Sequence, residues 1–159
     1  MKLKITFIIL IAMAFSSCKK DKDPKVPNNG CLTFGSFYGF CQGEECIEIF
    51  KLDSTHLWED SKDKYPARDT FYEGDFKVLS KEKFINTTNL MSSFPMQLLN
   101  EKDTVFGCPD CTDGGGIYLE YKFNGIHKFW IIDNFKTNVP AYLHSFMDEV
   151  HTKLDNLKD

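Results

Sequence analysis

Hydrophobic and polar positions alternate with a period of two in two stretches of the chain and follow a helical period in two others. In "CIEIFKLDSTHLWED", Ile47, Ile49 and Lys51 fall on one face and Glu48, Phe50 and Leu52 on the other. That alternation predicts a strand, and Asp53-Ser54-Thr55 turns it into a second one carrying Leu57 and Trp58. In "IYLEYKFNGIHKFWII", Ile117, Leu119, Tyr121 and Phe123 alternate with Tyr118, Glu120 and Lys122. Asn124-Gly125 supplies the positive φ angles of a two-residue hairpin turn there.

Each hairpin is followed by a helical pattern. The first starts at Ser80, whose hydroxyl can cap the free amides of Glu82 or Lys83, and runs toward Pro95 with Phe84, Thr88 and Met91 on one stripe. The second begins near Asn138, with Pro140 in its first turn. Leu143, Phe146, Met147, Val150, Leu154 and Leu157 then share one arc at 3.6 residues per turn. Hairpin–helix, twice over, predicts an α+β fold: an antiparallel sheet built from two hairpins, with both helices on one face.

The amino terminus follows a different pattern. "MKLKITFIILIAMAFSSCKK" has two lysines, an apolar run from Ile5 to Phe15, two serines and Cys18. The run is too short for a permanent membrane helix, which needs about 20 residues. Its order is that of a secretory signal. Phe15-Ser16-Ser17-Cys18 resembles the lipobox of bacterial lipoproteins. That resemblance implies cleavage after residue 17, a lipidated Cys18 and palmitate-type acyl chains as the membrane anchor. "KKDKDPKVPNNG" then reads as a flexible tether, so that 18–30 is the lipidated cysteine with its tether and 31–159 a single globular domain.

Charge narrows the partners. Cleavage removes two of the 19 basic side chains, so 17 face 23 acidic ones, a formal −6. Such a balance argues against nucleic acid and against an additional electrostatic hold on anionic lipid. The 15 phenylalanines, six tyrosines and two tryptophans predict an aromatic core.

Candidate chemistry centres on the cysteines. Behind Cys18 lie Cys31, Cys41, Cys46, Cys108 and Cys111, the last two in "VFGCPDCTDGGG". An exported thiol meets an oxidising compartment, which predicts two intramolecular disulfides drawn mainly from Cys41, Cys46, Cys108 and Cys111, with the connectivity open. The same four have the spacing of two zinc knuckles, the alternative metal site, but Thr112 stands where such knuckles usually carry glycine. A redox pair at Cys108 and Cys111 is disfavoured because it precedes a strand rather than a helix and sits among Asp110 and Asp113. His144, Asp148, His151 and Asp155 share a helix face that reads as solvated. No cofactor motif is present: Gly114 to Gly116 precede a strand and fit no phosphate-binding pattern.

From Cys31 onward the chain resembles small lipoproteins of Bacteroidota, on the cysteine pair in "CQGEEC", the hairpin–helix order and the proline at the last helix. The resemblance implies architecture, an outer-membrane address with its face unresolved, and no particular activity. Asp53-Ser54-Thr55 and Asp103-Thr104-Val105 resemble the O-glycosylation acceptor of Bacteroidota, implicating Ser54 and Thr104. The expected function is a lipid-anchored envelope protein with a small non-catalytic domain for a protein or glycan partner. The alternative is a thiol-disulfide or zinc-dependent envelope protein using Cys108 and Cys111.

Overall fold

A computed structural model describes residues 30–158; Cys18, the signal and all but the last residue of the tether lie outside the described residues. The fold is α+β. Seven strands form one sheet: β1 (Cys31–Phe37), β2 (Ile47–Leu52), β3 (Leu57–Asp60), β4 (Phe76–Val78), β5 (Val105–Phe106), β6 (Gly116–Phe123) and β7 (Ile126–Asp133). Their order is β4-β3-β2-β1-β6-β7-β5. Helices α1 (Lys81–Thr87), α2 (Leu90–Ser93) and α3 (His144–Leu157) complete the domain.

The sheet is not the antiparallel one expected from two hairpins, each followed by a helix. β5 runs parallel to β7, so the sheet is mixed. The β2–β3 and β6–β7 hairpins are not neighbours; β1 lies between them, antiparallel to both β2 and β6. β3 leads not into a helix but into a 15-residue irregular segment, 61–75, and then β4. β1 reads "CLTFGSF" and is buried along its whole length, so it lacks the polar face that marks a half-exposed strand. Gly35 is required at its centre: a Cβ there would stand 1.9 Å from the Glu48 carbonyl oxygen. In the β6–β7 hairpin Asn124 and Gly125 both take positive φ, 49° and 82°, as the turn demands.

The helical segments also differ from a simple reading. Ser80 caps α1 by accepting from the Lys83 amide at 3.3 Å, but the helix ends at Thr87. Thr87 and Thr88 turn their hydroxyls back on the carbonyls of Lys83 and Ile85, a local competition that weakens the helix before Asn89. Before α3, Val139 is extended (φ −127°), as the residue preceding a proline prefers, and single turns at Lys136–Asn138 and Ala141–Leu143 carry the chain into the helix.

One sheet face carries Leu32, Phe34, Leu119 and Trp130 against the helices, to which α3 contributes Phe146, Met147, Val150, Leu154 and Leu157. Each such side chain contributes about 1.5–3 kcal/mol by burial. The other face carries Phe37, Ile49, Tyr118, Phe129 and Ile131, and Tyr72 of the irregular segment packs on it.

Beside this core Glu48 has a carboxyl whose pKa is pushed up to about 7, first by burial and then by Glu59 and Asp63. The folded protein therefore holds a proton that the unfolded chain releases near 4.5, and stability falls as pH rises between these values. Glu48→Gln is expected to add about 1 kcal/mol at pH 8, the full shift being reduced by screening at a partly exposed position. Urea titrations of wild type and variant at pH 4 and pH 8 check this; no gain at pH 8, or an equal gain at pH 4, would refute it.

Candidate functional site

A 15-residue stretch without regular structure is uncommon in a compact domain, and such loops are either disordered or functional. Residues 61–75 are ordered by hydrogen bonds from both ends and the middle. The ends meet where the Ser61 amide donates to the Asp75 carbonyl at 3.1 Å. Beneath them Asp60, only 3% exposed, accepts from the Tyr72 hydroxyl at 2.6 Å, the Asp75 amide at 2.5 Å and the Asp63 amide at 3.1 Å. Gly74 lets that carboxylate approach, since a Cβ there would lie 2.5 Å from its Oδ1.

The middle of this strap is held by Asp110, from "CPDC" at residues 108–111. Its Oδ2 accepts from the Tyr65 hydroxyl and from the Gly39 amide, both at 2.9 Å, and its Oδ1 from the Gly115 amide at 3.0 Å. Burial and the bond to Asp110 push the Tyr65 hydroxyl up to about 12, so it remains a donor at neutral pH. Arg68 adds a bond to the Pro109 carbonyl at 2.9 Å. One carboxylate thus ties the strap, the 38–46 loop and the 107–115 loop together.

Both loops are closed by local disulfides, Cys41–Cys46 and Cys108–Cys111. The four cysteines offered as a zinc alternative are thereby paired two by two, and among the described residues no group of three or more His, Cys, Asp or Glu is placed to hold a metal ion. Cys31 is a buried free thiol, and burial pushes its pKa up, away from the reactive thiolate. Asp110, Thr112 and Asp113 take positive φ (61°, 56° and 58°), so the stretch after Cys108 is a tight irregular turn and not a helix start.

Under the strap runs a buried polar chain that the sequence did not reveal. The Tyr72 amide donates to the Tyr118 hydroxyl at 2.9 Å, which donates to Glu120 Oε2 at 2.8 Å. Glu120 Oε1 lies 2.9 Å from His127 Nε2, and the His127 ring stacks on Phe71 of the strap at 3.7 Å. Burial, joined by Glu120, pushes the Tyr118 hydroxyl far up and keeps it neutral. Nothing in the strand alternation distinguishes Glu120 from a solvated residue; the strap buries it.

The strap itself encloses an open cleft of about 440 Å³. Tyr65 and Phe71, each 40% exposed, flank it, with Lys64, Asp69, Thr70 and Glu73 supplying polar groups. Elsewhere, Phe40 is 85% exposed in the loop closed by Cys41–Cys46. Ser54 and Thr104 are exposed, Ser54 in a turn where Asp53 accepts from the Thr55 and His56 amides, both at 2.7 Å. On α3, Asp148 pairs with Lys136 and Asp155 with Lys158, while His144 lies 3.2 Å from the Val139 carbonyl. Burial, against the opposing pull of Asp155 and Asp148, pushes His151 down.

In comparisons with known proteins, no family model matches the chain, and no curated protein or solved structure matches it either.

Proposed function

We propose that the protein is a lipid-anchored component of a bacterial envelope, held through Cys18, whose domain is a non-catalytic binding module with the strap as its binding element. The observation that carries the binding reading is the strap. Fifteen irregular residues are held in one arrangement by Asp60, Asp110 and Tyr118, around a cleft within the usual size range of ligand sites. A preformed cleft avoids the ordering cost that a floppy loop would meet on binding. The anchor rests on Phe15-Ser16-Ser17-Cys18 and on the apolar run before it. Two or three acyl chains give stable attachment without a basic patch, in keeping with the acidic balance of the chain. Within this reading the outer membrane is the address, and Ser54 and Thr104 are exposed acceptors for O-linked sugar.

The test of the anchor is Cys18→Ala. Wild-type protein is expected to take up labelled palmitate and to fractionate with membranes, whereas the variant stays unlabelled at precursor length. Unlabelled, soluble wild-type protein of mature length would sink the lipoprotein reading.

A further inference from the structure

We infer that the strap cleft is a saccharide site, which takes a neutral sugar ring between Tyr65 and Phe71. This deepens the binding-module reading and rests on it, but not on the lipid anchor.

The first support is the rigidity of the two rings. Tyr65 packs edge-on against Phe37, with centroids 5.1 Å apart, and its hydroxyl is fixed on Asp110. Phe71 stacks on His127 at 3.7 Å and meets Phe129 edge-on at 5.2 Å. Both rings nevertheless stay 40% exposed at the cleft. Held aromatic surface suits the C–H face of a pyranose, because little rotamer freedom remains to be lost on binding.

The second support is the polar complement. Lys64 supplies donors, Asp69 and Glu73 supply acceptors, and Thr70 supplies both. All four are exposed, and among the described residues the Asp69 and Glu73 carboxylates make no hydrogen bond or ion pair. Their charges choose between ligand classes. Two carboxylates against one ammonium disfavour an anionic ligand. A purely apolar ligand would leave all of these groups unpaired in the cleft, at a cost in desolvation. A neutral polyhydroxylated ring with one apolar face meets each requirement, and 440 Å³ accommodates a sugar ring.

The experiment uses the mature full-length protein in a polyoxyethylene detergent, which presents no sugar headgroup. It is applied to an array of neutral hexose and pentose oligosaccharides, uronate and sulfated oligosaccharides, and chitosan oligomers, and hits are measured by calorimetry. Binding confined to neutral members is expected, weakened at least tenfold by Phe71→Ala and by Asp69→Ala and unchanged by Phe40→Ala. Asp69→Ala is a surface change expected to leave the fold intact, so its result stands even where Phe71→Ala perturbs the strap. Silence on every neutral saccharide, a preference for charged ones, or binding indifferent to both cleft variants would overturn the assignment. Membrane fractionation of the same preparation separates the two readings: anchored protein that ignores the array refutes the sugar site alone, and soluble protein that binds refutes the anchor alone.

Discussion

Replacing Asp60 by alanine is expected to destabilise the protein by about 3 kcal/mol and to open residues 61–75 to proteolysis. The carboxylate is buried and accepts from Tyr72, Asp75 and Asp63. Bonds to a charged acceptor contribute about 1.5–3 kcal/mol each, but they share one group and cannot simply be added. Water reaches the Asp63 and Asp75 amides once the carboxylate is gone, which limits the loss. Asp60→Asn keeps the volume and one good acceptor, and about half the loss is expected. Urea denaturation gives the energies, and limited proteolysis with peptide mapping locates the cut. Wild-type stability with no new cleavage between Ser61 and Asp75 would show that the strap is held by other means.

The second large effect is expected from Tyr118→Phe, also about 3 kcal/mol. The change removes one oxygen but strands two partners. The Tyr72 amide loses its acceptor, and the Glu120 carboxylate, 6% exposed, loses a donor at 2.8 Å. An unsatisfied buried polar group costs about 1–3 kcal/mol, and more when charged. Because Asp60 and Tyr118 both act on Tyr72, the double variant should lose less than the sum of the singles. Full additivity, or a loss below about 1 kcal/mol for Tyr118→Phe, would mean that the chain of bonds does not act as a unit.

What was legible in the sequence divides by the range of the interactions involved. The β6–β7 hairpin was readable because its turn chemistry, Asn124-Gly125, lies between two alternating runs. α3 was readable because its apolar stripe is long and its period unambiguous. Cysteine pairing was legible as a tendency, through the oxidising compartment expected from the resemblance of residues 1–18 to a lipoprotein signal; which cysteines join depended on loops that bring residues three and five apart together. β1 and β4 escaped because one is buried on both faces and the other has three residues. β5, two residues long, makes the sheet mixed and has no periodicity to read. The strap escaped for a deeper reason. Its order resides in Asp60 and Asp110, two among 23 acidic side chains, and their partners are 45 and 71 residues away in the case of Asp110. No local pattern distinguishes a carboxylate that will clasp three loops from one that will face water.

The account of an exported, lipid-anchored and disulfide-closed chain is tested most directly by the intact mass of protein purified from its membranes. The mature chain is expected to begin at Cys18, to carry a diacylglyceryl group on that thiol, and to lack the four hydrogens of Cys41–Cys46 and Cys108–Cys111. After unfolding, one thiol, Cys31, should accept an alkylating reagent. A chain that retains residues 1–17 without lipid, or that yields four further alkylatable thiols without reduction, would contradict it.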